Sequence, residues 1–363
     1  MVGENDLLIV GPGVLGRLVA EKWREEHPGC QIYGQTVTTD HHNELISLGI
    51  NPFLKETKTD QKFPYVIFCA PPSKTPDYAG DIRLAALSWN GEGSFVFTSS
   101  SAPYDCNDNG PCDEDTPTVP IGRSPRTDTL LKAEKVVLEF DGCVVRGAHF
   151  YWLHKGTVDA RPDHILNLIH YEDAASLSVT ILKKKLRGRI FLGCDNHPLS
   201  RLSSFTVAHM QEVMDLVDKS GKFDKKFQGF TGGFLFTFLN LRIYFNMGTS
   251  DPLGKKLNNS NTRKELGWEP KYPSFAHFLG IPRFLYFFYM FHLNHNVKLT
   301  NKQDLSFKQR SSLPMGKFCC MESDDGGGLD FTGLLIVLVI AVALMAVCLQ
   351  QPRPTGYTVY RYR

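Results

Sequence analysis

Cysteine is scarce in this 363-residue chain: nine are scattered along it, and no two stand in a CxxC pair. That density is far below a disulfide scaffold, and the missing spacing argues against a zinc ribbon or a thioredoxin-type site. The pattern reads as a reducing compartment. Charge of one sign is not in excess either. Lys and Arg number 40 against 38 Asp and Glu, a formal net charge of +2. Nucleic-acid binding driven by bulk charge is therefore excluded. Residues 1–10 carry Glu4 and Asp6 and no basic run, so neither a secretory leader nor a transit peptide is expected. No internal repeat is visible. At 42% hydrophobic residues the chain can bury a sizeable core.

What is present begins as strand, turn and helix. Leu7-Leu8-Ile9-Val10 is a continuous apolar run, as a strand buried on both faces requires. Gly11-Pro12-Gly13-Val14-Leu15-Gly16 follows, and then a helical pattern with Leu15, Leu18, Val19 and Trp23 on one face. A GxGxxG turn between a strand and a helix is the context a dinucleotide site needs. Gly11 permits the tight turn, Gly13 lets the backbone approach a pyrophosphate, and Gly16 lets the helix pack on the strand. The helix N-terminus then offers unpaired N–H groups and the positive end of its dipole. The bland alternative is a glycine turn kept for packing. The second strand is expected over Gln31–Gly34, and Gln35 and Thr36 follow it. No acid stands at that end to bind a ribose 2′-hydroxyl, and Asp40 comes late. The hydroxyl-rich Thr36–Thr39 stretch removes repulsion against a 2′-phosphate. NADP is thus expected ahead of NAD, although no Arg stands in that stretch to clamp the phosphate.

Strands and helices then alternate. Buried strands are expected over 65–70, 94–98 and 143–145, with helices over 44–48, 82–87 and 130–140 between them. Alternation of this kind implies an α/β fold with a doubly wound parallel sheet of the Rossmann type. Residues 1–147 would form the dinucleotide-binding core. Residues 148–280 would hold the rest of the fold and a small mixed substrate lobe, with strands at 165–169 and 189–193 and helices at 173–183 and 204–218. Ala70 and Pro71, at the end of the strand at 65–70, and Ser99 join Gly11, Gly13, Val14, Leu15, Gly16, Gln35 and Thr36 as the expected cofactor contacts.

Further segments carry a family resemblance. They are Thr98-Ser99-Ser100-Ser101-Ala102-Pro103-Tyr104, Asp113-Glu114-Asp115-Thr116-Pro117, Ala133-Glu134, His170-Tyr171-Glu172-Asp173-Ala174-Ala175, Asp195-Asn196-His197-Pro198, Arg263-Lys264-Glu265-Leu266-Gly267-Trp268 and Tyr272-Pro273-Ser274. In order and spacing, over about residues 5–280, the chain resembles the extended short-chain dehydrogenase/reductase family, which contains nucleotide-sugar epimerases and dehydratases. The resemblance implies a NAD(P) cofactor, a small-molecule substrate with a carbinol carbon, and a homodimer formed through helices of the main domain. It places the carbonyl-polarising hydroxyl on Ser100. The family's Tyr-x-x-x-Lys acid/base pair would fall at Arg126 and Leu130, so the standard pair is absent, as in the atypical branch. Tyr104 is the substitute candidate, with Lys132 behind it. The histidines His149, His154 and His170 have no spacing that suggests a site.

Three further departures stand out. The stretch that usually follows the sixth strand is missing after Val145. Residues 233–247, rich in Phe and Leu, look like an insertion. No family motif remains beyond about residue 281. Together they point to an altered transcript or gene model. Residues 281–332 read as a linker. Residues 333–349 are uncharged and mostly Leu, Ile, Val and Ala. As a helix they would span roughly 25 Å, the short end of the membrane-crossing range. The alternative is a buried core helix. A span this close to the tail at 350–363 would insert after synthesis and leave the large domain in the cytosol. The three Arg of the tail argue the other way. The chain is thus expected to be a NAD(P)-dependent oxidoreductase or epimerase, or a non-catalytic dinucleotide sensor tethered to a membrane.

Overall fold

The structure is a computed structural model, and it describes residues 2–57, 60–150, 157–158, 164–197, 229–230, 233–238, 241–246 and 253–280. The chain opens with β1 (Leu7–Val10), α1 (Val14–Glu26), β2 (Ile32–Thr36), α2 (His42–Ser47) and β3 (Asn51–Leu54). Next come β4 (Phe63–Phe68), α3 (Tyr78–Leu87), β5 (Trp89–Ser100), α4 (Pro125–Glu139) and β6 (Cys143–Gly147). Then α5 (Tyr171–Lys184), β7 (Ile190–Gly193), α6 (Ser260–Leu266) and α7 (Phe275–Phe278) follow.

Seven strands make one sheet in the order β3-β2-β1-β4-β5-β6-β7. Every neighbouring pair runs parallel. The order reverses between β1 and β4. In open α/β sheets that switch point opens a crevice at the carboxyl ends of the strands. β1 shows why the sheet needs two covers. Leu7 and Ile9 join the core under α1 and α5, while Leu8 and Val10 join the core under α3 and α4. All four are buried, each adding at most about 1.5–3 kcal/mol of apolar burial. This is a Rossmann-like α/β fold. β7 and α5, from the second half of the described chain, complete its sheet and one of its helical layers.

The expected elements recur with shifted ends. Asp77 caps α3 by accepting the Gly80 N–H at 2.9 Å. Ser124 caps α4, its hydroxyl accepting the Thr127 N–H at 3.2 Å, with Pro125 in the first turn. α4 therefore starts five residues before the expected Leu130. The strand expected over 165–169 shrinks to Leu168–Ile169. β3 was not expected at all. It contains Pro52 and is half exposed; proline is tolerated there because β3 ends the sheet. The residues taken as an insertion form an antiparallel hairpin, Gly233–Phe238 against Leu241–Asn246. The expected helix over 204–218, the linker at 281–332, the apolar run at 333–349 and the tail at 350–363 lie outside the described residues. Among the described residues no helix is long and apolar enough to cross a membrane.

Candidate functional site

The site starts at the turn after β1. Gly11 has φ +77°, and a Cβ there would come within 2.6 Å of the Ala70 Cα. Both facts require glycine. The Gly11 N–H donates to the Gln35 carbonyl at 3.0 Å, which ties the turn to β2. At Gly16 a Cβ would meet Ile9 Cγ2 at 2.9 Å, so the missing side chain lets α1 lie close on β1. Gly13 is different: a Cβ there would find nothing within 4 Å. It is the N-cap of α1, with no side chain capping the helix and no acid in its first turn. The leading N–H groups and the positive dipole end are therefore left for an outside anion.

This turn forms one wall of a cleft of about 450 Å³. Gly11, Gly13, Val14, Leu15, Gly16, Ala70, Pro71, Ser99 and Ser100 all line it, so the fold brings these sequence-nominated residues together. Gln35 and Thr36 do not. Gln35 holds the turn through its carbonyl, and the Thr36 hydroxyl contacts His42 Nε2 at 2.8 Å and donates to the Phe53 carbonyl at 3.3 Å. The sequence reading also missed a cation. Arg17, in the first turn of α1, donates through Nε to the Pro12 carbonyl at 3.3 Å and grips the Glu44 carboxylate, with Nη2 at 3.0 Å from Oε2. Glu44 belongs to α2, the helix that leaves β2. A guanidinium therefore links the glycine turn to α2, although none is present in the 36–39 stretch.

The opposite wall rests on a buried charged network. Ser99 Oγ donates to Glu134 Oε1 at 2.5 Å. Arg146 donates to the same carboxylate, Nε to Oε1 at 3.3 Å and Nη2 to Oε2 at 2.7 Å. Both charged side chains are almost wholly buried. The Arg146 guanidinium lies over the Tyr104 ring, 4.6 Å from its centroid. Lys255 donates to the Ser101 and Tyr104 carbonyls at 3.1 and 2.9 Å, and burial lowers its pKa. Tyr104 does not line the cleft. It is buried beneath this network, and burial pushes its phenol up to about 12. The geometry gives Tyr104 a packing place and not that of an acid/base poised near neutral pH. Leu130 does line the cleft, whereas Arg126 and Lys132 are exposed outside it. His149 and His154 fall outside the described side chains.

The other motif residues hold the frame. Asp173 accepts the Lys271 and Tyr272 N–H groups at 2.7 and 3.1 Å, fastening the segment before α7 to α5. Glu114 accepts the Thr262 N–H at 2.8 Å. His170 caps α5, its Nδ1 accepting the Glu172 N–H at 3.2 Å, and packs on Tyr272. Burial lowers its pKa to about 4 from an ordinary 6.5, with Glu172 opposing and Lys271 adding. The fold thus holds His170 neutral while the unfolded chain protonates it. Stability should fall as the pH drops from 6.5 toward about 4. His170→Asn keeps a capping acceptor without the titration. Its urea-unfolding midpoint should decline less than the parent's across that window; an identical decline would remove His170 as the cause.

No family model matches the sequence, and no curated protein matches it. Solved structures do match in fold. A functionally unknown conserved protein from Silicibacter pomeroyi superposes with a TM-score of 0.58 at 20% identity, covering 76% of this chain and 96% of that one. The dTDP-glucose 4,6-dehydratase of Bacillus anthracis, solved with NAD, gives 0.56 at 15% identity, covering 77% and 96%. The UDP-glucose 4-epimerase of Thermotoga maritima, solved with UDP-glucose, gives 0.53 at 14%, covering 77% and 98%. The chain therefore has the fold seen in NAD-dependent epimerases and dehydratases. At these identities the likeness is one of fold.

Proposed function

We propose that this chain binds NAD(P) in the cleft and acts as an oxidoreductase or epimerase on a small molecule with a carbinol carbon. The open cradle at Gly13, under the uncapped N-terminus of α1, carries the reading: a pyrophosphate fits where a Cβ meets nothing. Gly11, Gly13, Val14, Leu15 and Gly16 would hold the phosphates, with Ala70, Pro71 and Ser99 beside the nicotinamide half. A bound nicotinamide supplies hydride exchange at C4. The chain supplies position, a largely apolar cover and the Ser100 hydroxyl.

The deciding experiment is titration of the purified chain, checked for folding by circular dichroism, with NADPH and NADH. Saturable binding of either supports the reading, and a folded chain that binds neither overturns it. NADP preference is part of the proposal, and Arg17 is its means. Arg17→Ala should weaken NADPH by about tenfold and leave NADH nearly unchanged, the size of one charge-assisted phosphate contact. Glu44→Gln frees the guanidinium and should shift the NADPH/NADH ratio the other way. Equal effects on both cofactors would take Arg17 out of the phosphate site.

One observation favours a second reading. Leu130 lines the cleft at the position where the resemblance puts the acid/base lysine. Tight cofactor binding without turnover across a carbonyl panel would make the protein a dinucleotide sensor. Its membrane tether, under this reading, is the apolar run at 333–349.

A further inference from the structure

Four of the hydroxyls that line the cleft, those of Tyr78, Thr98, Ser99 and Ser178, donate into the protein, whereas the Ser100 Oγ accepts the Ala102 N–H at 3.2 Å. A hydroxyl has one proton to donate and two lone pairs to accept with. Thr98 Oγ1 donates to the Phe68 carbonyl at 3.0 Å. Tyr78 donates to the Ala70 carbonyl at 2.8 Å, and Ser178 to the Ala174 carbonyl at 2.8 Å. Ser99 donates to Glu134. Each of these protons points into the protein, and the lone pairs are left for the cleft. No Lys, Arg or His is among the described residues of the lining.

Ser99 is the most firmly fixed of the four. Glu134 Oε1 accepts from Ser99 and from Arg146 Nε, and Oε2 accepts from Arg146 Nη2. As the carboxylate of an ion pair with Arg146, Glu134 only accepts, and Ser99 donates to it. Toward the cleft, Ser99 can then only accept. The end of β5 lies two strands from the glycine turn, roughly 10 Å at the usual strand spacing. That is the side of the switch point on which the nicotinamide half of a dinucleotide would rest.

We propose that Ser99, oriented by Glu134 and Arg146, is a specificity-determining acceptor: it takes a neutral N–H or O–H donor, in the first place the carboxamide N–H of nicotinamide, and rejects a carboxylate at that position. Glu134 is a positioning residue, since it acts only through Ser99. The inference rests on the dinucleotide reading above and adds which chemical form of the ring the cleft accepts.

The test is calorimetric binding of two probes to the full chain, NADP and its nicotinic acid analogue, which differ only in carboxamide against carboxylate. The parent chain should prefer the amide by about tenfold or more, since an acceptor facing a carboxylate gains no hydrogen bond and adds repulsion. Ser99→Ala removes the acceptor without enlarging any side chain and should narrow the preference to about threefold or less. In Glu134→Gln the single amide oxygen serves Arg146, and the amide N–H donates to Ser99. The serine proton then turns to the cleft, so the acid analogue should gain on the amide even beyond Ser99→Ala. A merely structural role for Glu134 would weaken both probes alike. Should Glu134→Gln fail to fold, Ser99→Ala alone decides. A parent ratio near one, or a ratio unchanged in Ser99→Ala, overturns the inference and leaves the dinucleotide site standing. A folded parent chain that binds neither probe overturns the dinucleotide reading, and this inference with it.

Discussion

Gly13→Glu is expected to leave the fold intact and to weaken NADPH binding at least about 100-fold, or ~2.7 kcal/mol. The two halves of that statement have separate physical grounds. Gly13 has φ −76° and ψ −157°, an extended backbone that any residue adopts, and its Cβ would meet nothing within 4 Å. Nothing in the fold therefore resists a side chain there. A carboxylate at the N-terminus of α1 even favours the helix, by roughly 0.3–1 kcal/mol. The same carboxylate fills the space a pyrophosphate would use, and its charge replaces the phosphate's at the helix end. Gly11→Ala is the contrast. With φ +77° and the Ala70 backbone 2.6 Å from the new Cβ, it should disturb the fold itself. Calorimetry with NADPH, alongside thermal melting by circular dichroism, separates the two. A Gly13→Glu chain with parent-like melting and parent-like affinity would remove the cofactor assignment.

Why the glycine turn could be read in advance, and its neighbours could not, follows from the range of the forces involved. β1 is a four-residue apolar run, buried on both faces, and the three glycines stand at fixed spacing between that run and a helical pattern. Local pattern is enough for both. β3 was invisible because Asn51-Pro52-Phe53-Leu54 has neither a continuous apolar run nor an alternation. Its pairing with β2, not its own pattern, makes it a strand. The start of α4 was legible but overlooked: Ser124 followed by Pro125 is a cap and a first-turn proline. Arg17 was passed over because only the 36–39 stretch was read for a phosphate clamp. It reaches Glu44 across 27 positions from another helix. Tyr104 was nominated by its place after a strand. Its burial under Arg146 and Lys255 depends on residues 42 and 151 positions away, which no window around it contains. Ala133-Glu134 was noticed as a motif, while the tertiary partner that gives Glu134 its meaning, Arg146, was passed over.

That partnership carries the largest expected effect on stability. Arg146→Met leaves the Glu134 carboxylate buried with Ser99 as its remaining donor among the bonds described, and should cost about 3–5 kcal/mol. The loss is of compensation for a desolvated charge, not of the ion pair's own attraction. It follows that removing both charges should be far milder. Glu134→Leu with Arg146→Met replaces the pair by apolar groups of similar volume, and such exchanges are often neutral or stabilising. The double variant should unfold within about 1 kcal/mol of the parent, seen as a urea midpoint close to the parent's and well above that of Arg146→Met. A double variant as unstable as the single one would mean that packing over Tyr104, not charge compensation, is what Arg146 contributes. If the double variant does recover, it becomes the cleaner instrument for the cleft. Its sheet and helices stand, yet nothing holds the Ser99 proton inward, so its preference between amide and acid forms of the cofactor should relax without any loss of fold.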